Sequence, residues 1–191
     1  MTRLDRQIAF LVEADRLKSV ERATTLADAS RVENSAEHSW HLALYALVLA
    51  DQAGPEVEID RVIRMLILHD LVEIDAGDAP IFAEVDTASL AVQEAAAADR
   101  IFGLLPGDQR DALRALWDEF EAAQTPSAQF AKALDRFQPP MQNLASGGGS
   151  WTEYNVTPDR IEARVAPAIK RGAPALWAYA KARIDAFFAA K

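Results

Sequence analysis

The sequence contains no cysteine, which removes disulfides, thiol nucleophiles and thiolate metal sites together. It also lacks an apolar run able to cross a bilayer: the longest, residues 42–50, falls well short of the roughly 20 residues that a spanning helix needs. Cations are in deficit, with 20 Lys and Arg against 29 Asp and Glu and a net charge of −9. That sign repels nucleic-acid backbones and argues against a polymeric nucleic-acid partner. It leaves a small phosphorylated ligand open, because a bound divalent cation can invert the local field of an acidic protein. Residues 1–6 carry charges where a secretory signal would need an apolar stretch, so the chain reads as cytoplasmic, with no membrane partner.

A length of 191 residues, half of them hydrophobic, fits a single domain spanning residues 1–191 with one core. Ala and Leu dominate and β-branched residues are scattered, which favours an all-α fold. Apolar residues Leu4, Ile8, Leu11, Val12 and Leu17 recur at helical spacing through residues 2–18, and a polar stretch follows over residues 19–34. Ser35 can cap a second helix running through Trp40, Leu44, Leu47 and Val48 until Gly54-Pro55. A third helix is predicted after Asp60 as cap, with His69-Asp70 in its last turns and a loop around Gly77 and Pro80.

Further helices fit residues 88–105 and 106–124, the second with Pro106 in its first turn. Thr125-Pro126 opens another through Phe130, Leu134 and Phe137, which Pro139-Pro140 should interrupt or kink. Gly147-Gly148-Gly149 reads as a connector, and Trp151 and Trp177 as core or interface. Thr157-Pro158 starts a helix that Gly172 closes, with a kink at Pro167, and a last helix covers residues 173–190.

Only three histidines occur, His38, His41 and His69. The doublet His69-Asp70 follows the apolar run Val62-Ile63-Arg64-Met65-Leu66-Ile67-Leu68, a costly place for polar groups unless something binds them. Glu73 lies three to four residues on, so helical spacing sets it beside both. Asp135 sits inside the apolar pattern Phe130, Ala131, Ala133, Leu134, Phe137, where a lone carboxylate is unexpected. If His38, His69, Asp70 and Asp135 meet, two imidazoles and two carboxylates surround one divalent ion, with Mn²⁺, Co²⁺ or Fe²⁺ favoured and Mg²⁺, Zn²⁺ or Ni²⁺ open. His41 is then a spare histidine in the core or behind the ligands, and one metal suffices.

The series His38, His69-Asp70, Asp135 is similar to the H…HD…D signature of the HD phosphohydrolase superfamily. The strings Arg31-Val32-Glu33-Asn34-Ser35-Ala36-Glu37-His38-Ser39 and His69-Asp70-Leu71-Val72-Glu73-Ile74-Asp75-Ala76-Gly77-Asp78 resemble its 5'-deoxynucleotidase branch. The resemblance implies a single-domain helical bundle of HD type, one divalent metal on His38, His69, Asp70 and Asp135, and hydrolysis of a nucleoside phosphomonoester. It implies Glu73 as the group that orients a water or takes its proton, and Asp78 at the sugar or leaving oxygen. Arg22 matches a phosphate-holding arginine, and Lys18 is taken with it as a candidate substrate cation. In the related deoxynucleotidases an aromatic residue follows that arginine, whereas here the segment is Arg22-Ala23-Thr24-Thr25, which leaves sugar and base preference open. Other readings of the same residues are cleavage of a phosphodiester or pyrophosphate, or a nucleotide-binding regulator or scaffold with a structural metal. A homodimer is expected, with aromatic residues near the C-terminus as a candidate interface.

Overall fold

In the computed structural model, which describes residues 1–190, Thr2 and Asp5 form a capping box that starts helix α1 (Arg3–Ala14). A 3₁₀ turn, Asp15–Ser19, ends the segment that periodicity treats as one helix. The apolar stripe of α1 does not point inward. Leu4, Leu11 and Val12 are each at least 60% exposed, and the buried residues are Phe10 and Leu17. Phe10 stacks on Phe102 at 6.3 Å, and Arg6 donates to the carbonyls of Gly103 and Leu104, so these contacts set the helix's roll.

The polar stretch then forms an antiparallel hairpin of β1 (Glu21–Thr25) and β2 (Val32–Asn34). This is the only sheet among the described residues, and the rest of the ordered chain is helical. Asn34, rather than Ser35, caps helix α2 (Ser35–Val48), because its side chain accepts from the Glu37 amide while Glu37 accepts from the Asn34 amide. Ser35 is thereby free for another partner. Helix α3 (Ile59–Leu68) is capped at Glu58, one turn's edge earlier than Asp60, and Glu58 donates its amide to Ser127 Oγ.

His69 and Asp70 lie just beyond α3, in a 3₁₀ turn (His69–Val72) that leads into the short helix α4 (Glu73–Ala76). Gly77, at φ 77°, ends α4 in the left-handed region that glycine enters without strain. Helices α5 (Thr87–Phe102) and α6 (Gly107–Ala122) flank that turn. Helix α7 (Pro126–Ala145) runs through the centre, burying Phe130, Leu134, Asp135, Phe137 and Gln138. Pro139 and Pro140 do not interrupt it; the helix continues without two amide donors, leaving the carbonyls of residues 135 and 136 outside the regular ladder.

The chain finishes with α8 (Ser150–Glu153), α9 (Pro158–Arg164), α10 (Ala166–Gly172) and α11 (Pro174–Ala189). The helix expected from Thr157-Pro158 to Gly172 does break, but at Val165, so that Pro167 sits in the first turn of α10. Gly172 ends α10 for a packing reason: a Cβ there would stand 2.0 Å from the Gln129 carbonyl oxygen and 2.9 Å from Ala133 Cβ on α7. Gly172→Ala should therefore destabilise by about 1–3 kcal/mol through overpacking, despite alanine's better helix propensity. Calorimetry checks this, as Tm falls by roughly 2–4 °C per kcal/mol in a domain of this size. A raised Tm would show that α7 and α10 separate without cost.

Candidate metal centre

Five separate elements, the hairpin counted as one, deliver the polar side chains of one buried site. The capping box at Asn34 and Glu37 fixes the start of α2, and His38 follows one turn in, fully buried. The turn after α3 supplies His69 and Asp70, and the middle of α7 supplies Asp135, all three buried. The hairpin brings Arg22 on β1 and Glu33 on β2, while α4 opens with Glu73 and Asp78 follows Gly77.

His38 Nε2 lies 3.0 Å from Asp135 Oδ1, and His69 Nε2 lies 3.7 Å from the same oxygen. His69 Nε2 is also 2.9 Å from Asp70 Oδ1, yet it makes no hydrogen bond. His38 Nε2 is hydrogen-bonded to Asp135 Oδ1, whereas His69 Nε2 is close to two carboxylates without being aligned with either. The other ring nitrogen, His69 Nδ1, is 2.8 Å from the Leu66 carbonyl and must carry the proton it donates there, which leaves Nε2 as the available ligand atom. Trp117 Nε1 donates to the His69 carbonyl at 3.2 Å and holds the turn from behind.

One ligand atom from each of His38, His69 and Asp135 falls within 4.8 Å of the others, and all three residues are buried. Two imidazoles and a carboxylate at that spacing fit a divalent metal ion. Asp70 stands outside this tightest group: its Oδ2 accepts from Arg22 Nη1 at 3.1 Å, and its Oδ1 lies 2.9 Å from His69 Nε2.

The electrostatics demand positive charge at the same point. Burial opposes charging of His69, but Asp70 and Asp135 outweigh it and push its pKa up to about 10. Burial likewise opposes the Asp70 carboxylate, and His69 and Arg22 outweigh it and bring it down to about 2. Asp135 is held well below the usual carboxylate range, burial being overcome by Arg136 and then the histidines. A proton on His69 thus stands where a cation belongs, and ligation would displace it. Glu73 goes the other way: burial, then the neighbouring Asp70 charge, raise its pKa well above the ordinary value. Burial also raises Asp78, against the pull of Arg22.

These residues line a cavity of about 320 Å³. Arg22, Asp70, Glu73, Asp78 and Asp135 all reach it, and Arg22 Nη1 stands 3.7 Å from Glu73 Oε1 and 3.4 Å from Asp78 Oδ1. Lys18 does not reach it. Its side chain is exposed in the 3₁₀ turn after α1 and pairs with Asp15, so proximity to Arg22 in sequence misleads. The aromatic absent after Arg22 has no substitute from β1, where Ala23 and Thr24 line the cavity. Trp151 and Tyr154 line it from the α8 side instead, carried there by Gly147, Gly148 and Gly149, all at positive φ. Trp151 is otherwise buried against Phe187 and Phe188.

Three further polar groups around the site are not evident from the sequence. Arg136 Nη1 pairs with Asp135 Oδ2 at 3.0 Å, and Ser35 Oγ donates to Glu73 Oε2 at 2.5 Å. Glu33, 1% exposed, stands 3.3 Å from His38 Nδ1. His41 lines a separate groove, stacked on Trp40 and edge-on to Tyr45, and its Nδ1 stands 3.3 Å from Gln138 Nε2, behind His38 and Glu33.

The chain is similar to several known proteins, to differing extents. The chain is 46% identical to a crystal structure of a predicted metal-dependent phosphohydrolase from Magnetospirillum magnetotacticum MS-1, with a TM-score of 0.92 over 98% of this chain and 96% of that one. It is 30% identical over 130 residues to the 5'-deoxynucleotidase HDDC2 of Homo sapiens, covering 68% of this chain and 62% of that protein. That span, like the 64% covered in the Mus musculus relative, is less than two thirds of those proteins' length. Against the 5'-deoxynucleotidase YfbR of Shigella flexneri serotype 5b (strain 8401) it is 27% identical over 168 residues, covering 83% of this chain and 82% of the relative. The HD domain family pattern matches residues 14–177, which hold the paired histidines and carboxylates of the buried site, and the chain belongs to the HD domain family.

Proposed function

We propose that the protein is a metal-dependent phosphohydrolase that cleaves nucleoside 5'-monophosphates, deoxynucleotides included, to nucleoside and inorganic phosphate. One observation carries this reading: a buried His38–His69–Asp135 cluster reaches, through His69 and Asp135, the same 320 Å³ cavity that Arg22 lines. Two relatives named as 5'-deoxynucleotidases support the choice of substrate. His38, His69, Asp70 and Asp135 hold one divalent ion. When bound, the ion supplies Lewis acidity toward a phosphoryl oxygen and lowers the pKa of a coordinated water.

The protein's own residues do the rest. Arg22 presents its guanidinium to the phosphate oxygens, held by Asp70 and Asp78 at Nη1 and by Glu33 at Nε. Glu73, its other oxygen held by Ser35, takes a proton from the attacking water. A bond forms between that water's oxygen and phosphorus, the bond from phosphorus to O5' breaks, and Asp78 returns a proton to the leaving oxygen. Burial raises the proton affinity of both carboxylates, which suits them to these exchanges. Lys18 has no part in it.

Elemental analysis of the purified protein, followed by a phosphate-release panel of ribo- and deoxyribonucleoside 5'-monophosphates with each candidate metal, tests the proposal. Hydrolysis of at least one monophosphate is expected. A metal-replete protein that gains thermal stability from nucleotide without consuming it would be a binding regulator instead. Product analysis separates cleavage of a phosphodiester or pyrophosphate.

The same reading makes the protein a cytoplasmic single domain that works as a homodimer. The C-terminal aromatics are mostly spent inside the molecule: Trp177 is buried and Phe188 packs on Trp151. One exposed apolar face is that of α2, with Trp40, Leu47 and Val48 each at least 59% exposed beside a groove bounded by Tyr45, Phe137, Met141 and Tyr179. A face of that composition suits a self-complementary contact. Leu47→Asp is expected to convert a dimer in sedimentation velocity into a folded monomer. A wild type that sediments as a monomer removes the dimer.

A further inference from the structure

Glu33 belongs to no ligand set and reaches no solvent, yet it touches both halves of the site. Its Oε1 stands 3.3 Å from His38 Nδ1 and 3.4 Å from Arg22 Nε. Its Oε2 accepts from Gln138 Nε2 and from Gln142 Nε2, each at 3.2 Å. Those two amides sit one turn apart on α7 and are joined by a further bond, Gln138 Nε2 to Gln142 Oε1, at 2.6 Å. Asp135, on the same helix one turn before, meets the opposite nitrogen of the His38 ring. The ring is therefore bracketed by two carboxylates, both positioned from α7.

A buried carboxylate costs several kcal/mol to desolvate and persists only where charged or donating partners compensate it. Glu33 has four such partners. Yet its Oε1, His38 Nδ1 and Arg22 Nε all lack an aligned hydrogen bond, three buried polar atoms left facing one another. Ordinary packing offers no reason for a glutamate here, since leucine would fill the volume without any desolvation. A purpose appears once His38 ligates through Nε2: Nδ1 then carries the proton, and Glu33 is its acceptor, fixing the tautomer and the ring plane.

We infer that Glu33 is a positioning residue that ties the metal-binding histidine His38 to the phosphate-binding arginine Arg22. Its effect on the metal stands on the geometry alone. Its effect on phosphate rests on the reading of Arg22 given above. Because one oxygen serves both partners, the ring of His38 and the guanidinium of Arg22 cannot shift independently, and the ion and the phosphate stay in register.

Glu33→Gln keeps the volume and removes the charge. Manganese titration of the metal-free protein by calorimetry is expected to give a dissociation constant raised by about 10- to 100-fold, the usual loss when a ligand's outer partner is removed. Inorganic phosphate binding to the manganese-saturated variant should weaken by at least about tenfold, the scale of one lost charge-assisted contact. The Tm of the metal-free variant should not fall. A lowered Tm with manganese and phosphate affinities both unchanged overturns the proposal and leaves Glu33 a packing residue. Weakened manganese binding with intact phosphate binding overturns the tie to Arg22. If Glu33→Gln does not fold, Gln142→Leu, which releases one amide from Oε2 and keeps the charge, carries the same test with a several-fold loss expected in each affinity, and unchanged affinities overturn the proposal. No measurement uses turnover, so a wild type that hydrolysed no phosphomonoester would defeat the proposed activity while manganese binding still decided the role of Glu33.

Discussion

Asp135→Ala is expected to leave the purified protein essentially free of metal and to lower its phosphomonoesterase rate by at least about three orders of magnitude, from about 4 kcal/mol of lost Lewis-acid stabilisation at 1.36 kcal/mol per tenfold. Asp135 is the hub of the cluster: Oδ1 is shared by His38 and His69, and Oδ2 is held by Arg136. Truncation removes one charge from the ion and also the carboxylate that keeps the two imidazole nitrogens converging. His38→Ala and Asp70→Ala should follow the same pattern, but each removes a single ligand and leaves the convergence partly intact. Asp135→Asn is the informative companion, since it retains the shape and an oxygen while removing the charge. Elemental analysis and phosphate release measured on the same preparation, with circular dichroism as the check on folding, decide it. Retained metal in a folded Asp135→Ala protein would mean that the ion is held without Asp135, which would then be a hydrogen-bonding partner of the two histidines and not a ligand.

The positions of these groups were legible because chemistry and patterning disagreed there. A carboxylate at 135 within Phe130, Leu134 and Phe137, and a His-Asp doublet after an apolar helix, are expensive residues in cheap-looking places, and cost of that kind is visible in one dimension. Glu33 was not, for it meets His38 across the strand-to-helix junction at Asn34, and a spacing of five residues matches neither helical nor strand periodicity. Arg136 looks like an ordinary solvated neighbour of Asp135, and only the roll of α7 turns it back onto that carboxylate. Lys18 failed for the converse reason: a 3₁₀ turn and a strand start lie between it and Arg22, so neighbours in sequence diverge in space.

Periodicity also reported helices correctly without reporting what their apolar sides meet. The stripes Leu4, Ile8, Leu11, Val12 and Trp40, Leu44, Leu47, Val48 are real, but both face outward. In α2 the inward face is His38, Ser39, Leu42 and Ala46, small and polar because it must surround the site and approach α7 and α3. The hairpin escaped notice because its five- and three-residue strands carry Arg, Thr, Glu and Asn, which have no alternating apolar face to read. Proline gave the opposite error. Pro139 and Pro140 would break an exposed helix, but α7 is packed on several sides, and tertiary contacts outweigh the missing bonds.

Glu73→Gln is expected to lower kcat by about two to four orders of magnitude, the usual worth of a positioned general base. Metal content and KM should hold near wild type. The glutamine keeps the length of the side chain and an oxygen able to accept from Ser35 Oγ, so the local frame at α4 survives. What it loses is the ability to receive a proton. Glu73 is the acidic neighbour of the cluster that neither ligates in the tightest group nor pairs closely with Arg22, whose Nη1 is 3.7 Å away compared with 3.1 Å from Asp70. One of its oxygens is therefore left for a water in the cavity. Asp70 and Asp135 are held in the charged form by the histidines and arginines around them, which makes them poor proton acceptors, whereas burial raises the proton affinity of Glu73. Steady-state kinetics alongside elemental analysis separate this role from two others. A fall in metal content would make Glu73 a ligand, and unchanged kcat would make it a partner of Ser35 that only holds α4 against α2. Ser35→Ala should then give a milder loss, of about tenfold or less in kcat, because it removes about 0.5–1.5 kcal/mol of orienting hydrogen bond and leaves the base in place.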